Sequence, residues 1–171
     1  MSTPKATSNS AKALSALRSV ATTVAMVVTV LAAVAVFATG SPLSDTAPQL
    51  DARAMDGRPV RLADFSGKPV VLYFWATWCT ACKLTSPTVD GFASRNPEVP
   101  VLAVAADDLA TVRAYLAGEE RAFTVVADGE AIIQRLGIRA FPTTAIVDGA
   151  GKVIWTRQGV LLPGELDLRM P

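Results

Sequence analysis

The sequence predicts an α/β domain organised around one central mixed β-sheet, and three observations lead there. Val70–Trp75 and Val99–Ala105 are continuous apolar runs, as expected of strands buried on both faces. Helix-patterned segments follow each of them. Finally, Thr143–Val147 and Lys152–Arg157 flank Asp148-Gly149-Ala150-Gly151, a turn sequence that marks an antiparallel hairpin. Strand, helix, strand, helix and then a hairpin is the order of an α/β domain with a mixed sheet.

Taken from the N-terminus, the chain opens with a polar, Ser-, Thr- and Lys-bearing stretch read as a tail over residues 1–18. Residues 1–40 carry Lys5, Lys12 and Arg18 and no acid, and no charge occurs from Ser19 to Ser44. Within that gap Val20–Ala38 spans 19 residues, of which Thr22, Thr23 and Thr29 are the exceptions to apolar character. As a helix it would extend roughly 28 Å, close to the hydrocarbon thickness of a bilayer. Residues 19–40 are therefore read as one transmembrane helix, an anchor or uncleaved signal. Cationic residues before it place the N-terminus in the cytoplasm and the domain outside. A cleaved signal peptide, cut near Ala38-Thr39-Gly40, is the competing reading. Residues 41–54, with Pro42 and Pro48, read as a linker, and residues 55–171 as the folded domain.

In that domain Arg58–Leu62 alternates polar and apolar, and Ser66-Gly67-Lys68-Pro69 turns the chain into the Val70–Trp75 strand. A helix is expected from Cys79 to about Arg95, interrupted and kinked at Pro87. After Val99–Ala105, Asp108 is placed to cap a helix reaching about Ala117. Phe123–Ala127 is a weaker strand, and Glu130–Leu136 a short helix closed by Gly137. Beyond Val160, Leu161–Pro171 contains Pro163 and Gly164, so any C-terminal helix must be very short and one sheet face thinly covered.

Composition removes whole classes of chemistry. The chain has no histidine, which excludes Ser-His-Asp and Cys-His nucleophilic catalysis and Cys₂His₂ zinc sites. Two cysteines are too few for a Cys₄ metal site. With 16 Lys+Arg against 15 Asp+Glu, there is no basic stripe to recommend a nucleic-acid partner.

Those two cysteines stand at Cys79 and Cys82, three residues apart, directly after a buried strand and at the start of a helix. Helix N-terminal amides stabilise a thiolate there and lower its pKa from about 8.5 to roughly 3.5–7.5. The expected division of labour makes Cys79 the exposed nucleophile and Cys82 the more buried resolving thiol. Two other readings stand beside this one. The pair could hold Cu(I) between two thiolates without turnover, or form a structural disulfide that never exchanges.

The run Gly67-Lys68-Pro69-Val70-Val71-Leu72-Tyr73-Phe74-Trp75-Ala76-Thr77-Trp78-Cys79-Thr80-Ala81-Cys82 resembles the active-site stretch of TlpA-like thioredoxin-fold proteins, which are membrane-anchored or secreted bacterial thiol–disulfide oxidoreductases. Gly137-Ile138-Arg139 followed by Phe141-Pro142-Thr143 matches the family's cis-proline loop, and Pro87 falls where its helix proline falls. The likeness covers about Pro48 to Val160, and Cys82-Lys83-Leu84-Thr85-Ser86-Pro87 is closest to the copper-sensitivity suppressor D branch. This resemblance implies a thioredoxin-like fold, a redox-active Cys79–Cys82 disulfide in place of any cofactor or metal, and a cis bond before Pro142. It further implies that Trp78, Phe141, Pro142 and Thr143 contact the client, with Phe141 pairing to its backbone and Trp78 as a lid, while Trp75 belongs to the core. Thr80 and Ala81, between the cysteines, would help set the reduction potential. The implied partners are client proteins bearing cysteines or disulfides and a membrane redox protein; the implied site is the bacterial inner membrane, single pass, with the domain periplasmic. Two positions depart from the pattern. Tyr73 replaces the buried aspartate of thioredoxin, and Thr85 replaces the glutamate of many TlpA-like reductases, so water or the Tyr73 and Thr85 hydroxyls through water are left to assist Cys82 deprotonation.

Overall fold

A computed structural model describes residues 20–30 and 49–171, and the chain divides at Gly40/Ser41 into two units. In the first, residues 20–30 form a helix (α1) whose side chains are exposed throughout. The rest of the expected membrane span, and residues 1–18, lie outside the described residues. Among the described residues no helix is long and apolar enough to cross a membrane.

In the second unit, the strand Val70–Trp75 (β3) is the organising element. It pairs in parallel with Val101–Ala105 (β4), which pairs in parallel with Thr124–Val126 (β5). On its other edge it pairs antiparallel with Thr143–Val147 (β6), and β6 with Val153–Gln158 (β7). The order β5-β4-β3-β6-β7 makes the predicted mixed sheet. Side chains alternate across it as a pleat requires. Val71, Tyr73 and Trp75 of β3, with Val101, Ala103 and Ala105 of β4, join one apolar cluster together with Cys82, Val89 and Phe92 of the helix Thr80–Arg95 (α2). Val70, Leu72 and Phe74, with Leu102 and Val104, join a second cluster that includes Ile133 of the helix Glu130–Arg135 (α4). Burial on both faces explains why both strands are unbroken apolar runs.

Local chemistry sets the boundaries. Asp108 caps the helix Leu109–Tyr115 (α3) by accepting from the Thr111 amide at 2.8 Å. In the β6–β7 turn Asp148 Oδ1 accepts from the Ala150 and Lys152 amides at 2.9 and 2.8 Å, and Gly151 takes the left-handed conformation at φ 84°.

Three expectations need correction. The supposed linker 41–54 enters the fold before it ends: Asp51–Arg53 (β1) pairs antiparallel with Pro59–Arg61 (β2), Leu50 is buried, and Ala54 bridges to Val126. Pro87 does not interrupt its helix, since α2 continues on both sides of it. No C-terminal helix forms: residues 163–169 are turns, entered through Pro163 and Gly164. Nor is that face left thin. Leu161 and Leu166 are each 1% exposed and pack into the α2-side cluster, while Asp167 accepts from Arg95 and Asn96 at the C-terminal end of α2.

Gly129 stands before α4, directly under the end of β4, and its amide bonds the Ala105 carbonyl at 2.9 Å. A Cβ there would lie 2.5 Å from both Ala105 O and Val104 Cγ1. Gly129→Ala is expected to lower stability by about 1–3 kcal/mol through overpacking, read as a fall in the urea midpoint. An unshifted midpoint would show that the β4–α4 junction can move aside.

Candidate functional site

β3, the middle strand of the sheet, ends at Trp75, and the next four residues carry the chain into α2. The Cys79 amide closes a turn onto Ala76 O at 3.2 Å, leaving Cys79 as the N-cap of α2 with extended backbone geometry. Its sulfur accepts from the Cys82 amide at 3.1 Å, so a sulfur does what a Ser or Asp oxygen does at an ordinary helix start. Cys79 and Cys82 are disulfide-bonded, with Cα atoms 5.2 Å apart. Thr80 and Ala81 form the first turn between them.

The expected asymmetry of the pair is present in sense but small in size. Cys79 is 7% exposed and Cys82 1%, so Cys79 is the accessible sulfur yet sits largely within the core instead of standing exposed. Trp78, in contrast, is 69% exposed. Its ring meets Phe141 edge-on with centroids 5.8 Å apart, which brings the loop before Cys79 against the loop before β6. Trp75 is buried and stacks on Tyr73, as expected of a core residue.

The second loop reaches this position because β6 pairs with β3 in a register that sets Thr143 beside Phe74. The Phe141–Pro142 peptide bond is cis, as the resemblance implied. Pro142 O accepts from the Gly159 amide at 2.8 Å. Among the described residues no hydrogen bond engages the Phe141 backbone N–H or carbonyl. Thr143 behaves otherwise than expected. Its side chain is fully buried and donates to Ala140 O at 2.8 Å, so it braces the loop from inside and offers nothing to a client. A groove runs beside Trp78 and Phe141, lined also by Asp107, Ile138 and Arg139.

Beneath the pair, the Tyr73 hydroxyl is committed, and Thr85 Oγ1 serves as an acceptor. The Tyr73 hydroxyl is 3.1 Å from Cys82 O and 3.0 Å from Ser86 Oγ. A phenol has one proton, so it donates to the carbonyl and accepts from Ser86. Thr85 Oγ1 accepts from the Leu161 amide at 3.4 Å, which ties the C-terminal segment to α2. Burial pushes the Tyr73 phenol up from 10.0 to about 12, against the lowering effect of the Ser86 hydrogen bond. Tyr73 therefore stays protonated near neutral pH and takes no proton from Cys82; it holds the Cys82 peptide in place.

Sequence reasoning missed Asp107. Its carboxylate accepts from the Thr77 amide at 2.8 Å and from the Thr77 hydroxyl at 3.0 Å, clamping the loop that leads to Cys79. The available signal was an acid two residues past a buried strand, and nothing local identified its partner 30 residues away.

The model of the AhpC/TSA family matches residues 43–156. Thiol-disulfide oxidoreductase ResA of Bacillus thuringiensis subsp. konkukian is 32% identical over 117 residues, covering 66% of this chain and 68% of that protein. Among solved structures, dsbF of MTB in its mixed oxidized and reduced forms is 32% identical with a TM-score of 0.64, covering 71% of this chain and 92% of that one. The pneumococcal exposed lipoprotein thioredoxin Etrx1 of Streptococcus pneumoniae strain TIGR4 is 26% identical with a TM-score of 0.64, covering 70% and 96%.

A phenol that ionises less readily folded than unfolded adds stability at pH below 10.0, and this is lost as pH climbs toward 12. The whole effect is roughly 2–3 kcal/mol. Tyr73→Phe should flatten that stretch of the stability–pH curve, and at pH 7 should cost about 1–2 kcal/mol by stranding the Cys82 carbonyl. Denaturant titrations of both proteins from pH 8 to 12 measure it; parallel curves would contradict the assignment.

Proposed function

We infer the function from two facts: the chain belongs to the AhpC/TSA family, and its disulfide caps a helix beside a cis-proline loop. It is a thiol–disulfide oxidoreductase. The reading we propose beyond that is exchange with client proteins outside the cytoplasmic membrane, through Cys79 and Cys82, by a domain tethered through residues 19–40.

The observation that carries this reading is the N-cap geometry of Cys79. After reduction, the Cys82 amide and the positive end of α2 stabilise a Cys79 thiolate. That thiolate attacks one sulfur of a client disulfide; a mixed disulfide forms and the client's other sulfur leaves as thiolate. The Cys82 thiol then loses its proton to water, since the neutral Tyr73 and Thr85 hydroxyls are too weakly basic to take it, and its thiolate attacks Cys79 Sγ. The second client thiolate departs and the Cys79–Cys82 bond closes. Two electrons have passed to the client, and the same steps reversed oxidise a client dithiol. Phe141 offers an unused backbone N–H and carbonyl to an extended client segment, with Trp78 and the groove beside it.

The tether rests on charge and hydropathy. Lys5, Lys12 and Arg18 precede the apolar run, residues 1–40 hold no acid, Val20–Ala38 is apolar but for three threonines, and its described part is helical. An inner-membrane redox protein is then the natural partner for resetting the pair.

Cys82→Ala removes the resolving thiol and should accumulate client adducts through Cys79, visible as dithiothreitol-sensitive bands on non-reducing gels. Cys79→Ala should show none, and wild type should reduce insulin with dithiothreitol as electron source. Absence of adducts together with inert wild-type protein would reduce the disulfide to a structural element.

A further inference from the structure

We propose that Asp107 is a positioning residue for Cys79, holding its sulfur at the helix cap once the disulfide has opened. This inference rests on the exchange function proposed above.

In the oxidised chain the S–S bond itself keeps Cys79 at the cap. Reduction removes that bond; the Cys82 and Lys83 amides still bond the Cys79 carbonyl at 3.1 and 3.3 Å, and the loop leading to Cys79 is held by the Cys79–Ala76 turn and by the clamp on Thr77. The clamp is double: one carboxylate accepts both the amide and the hydroxyl of a residue two positions before Cys79. Its own footing is firm. The Ala106 amide bonds Trp75 O at 3.0 Å, and Asp107 O accepts from the Asp128 amide at 2.9 Å. Asp107 does not cap α3, a task done by Asp108, so its side chain is free for the loop. Charge-assisted bonds of this type are about twice as strong as neutral ones.

Geometry and charge act on Cys79 in opposite senses, which makes them separable. Losing the clamp lets the sulfur leave the Cys82 amide, which raises the thiol pKa. Losing a nearby negative charge alone would lower it. Of the other charged and titratable groups, Lys83 follows Cys82 on α2, Glu130 and Arg139 line the groove beside Trp78, and Tyr73 bonds the Cys82 carbonyl; all stay constant. Lys83 is itself drawn over the Tyr115 ring, 5.8 Å from its centroid.

The experiment uses the reduced full chain and iodoacetamide, with mass spectrometry assigning label to Cys79 as pH is varied. Asp107→Ala should raise the Cys79 pKa by about one unit, equivalent to a tenfold loss of thiolate below it. Asp107→Asn can still accept from the Thr77 amide while its NH₂ donates to the hydroxyl, so it should restore the wild-type profile within about twofold. Both variants lowering the pKa would mean that charge acts without positioning, and both leaving it unchanged while lowering the melting temperature would mean a purely structural clamp; either overturns the proposal. If Asp107→Ala does not fold, Thr77→Val keeps the amide bond and drops the hydroxyl bond, and should shift the pKa upward by a smaller amount; no shift overturns the proposal equally. Wild-type protein that fails to reduce insulin would instead remove the exchange function, whatever the variants do.

Discussion

One hydrogen bond organises the chemistry of this fold: the Cys82 amide on the Cys79 sulfur. A helix start always leaves N–H groups in search of acceptors, and the usual solution is a side-chain oxygen. On the function proposed above, the acceptor here is the group that must also react. Anything that positions the first turn of α2 therefore positions the nucleophile, and anything that disturbs it changes the energy of the thiolate. β3 delivers the chain to this point from the middle of the sheet, where neighbours on both edges and packing on both faces leave it little room to shift.

Around that cap the molecule places three braces drawn from distant parts of the chain. Tyr73 on β3 holds the Cys82 carbonyl from below, Thr85 on α2 receives the C-terminal segment at Leu161, and Asp107 beyond β4 holds Thr77. The Tyr73 hydroxyl is committed to the Cys82 carbonyl and Ser86, and burial holds it neutral. Positions 73 and 85, where proteins of this resemblance carry carboxylates, hold hydroxyls here that serve the scaffold.

What could be read from residue order follows from which interactions are local. Val70–Trp75 was legible to the residue because burial on both faces demands an unbroken apolar run. Asp108 as a cap and the Asp148–Gly151 turn were legible because donor and acceptor lie within four residues. The strand Asp51–Arg53 was not, because an edge strand of two charged residues and one alanine pairs through its backbone and shows no apolar pattern. The closing segment was misjudged for a related reason: Leu161 and Leu166 bury themselves from turns, where no helical period announces them. The cysteine pair and Phe141–Pro142 were named in advance, yet Thr143 looked like a contact residue because proximity in sequence says nothing about which face a side chain takes.

These distinctions bear on how the redox balance is set. For a two-electron couple about 30 mV corresponds to 1.4 kcal/mol, the scale of a single hydrogen bond to a charged group. The disulfide is tied by covalent bonds and gains little from the Cys82 amide, whereas a thiolate gains much. Each brace that keeps the amide on the sulfur therefore favours the reduced form and makes the pair a stronger oxidant; each that loosens favours the disulfide and makes it a stronger reductant. The intervening Thr80 and Ala81 are one influence on that balance. The clamp of Asp107 on Thr77 is another, outside the motif altogether, so two chains with the same four motif residues can sit at different potentials because of an acid beyond the neighbouring strand.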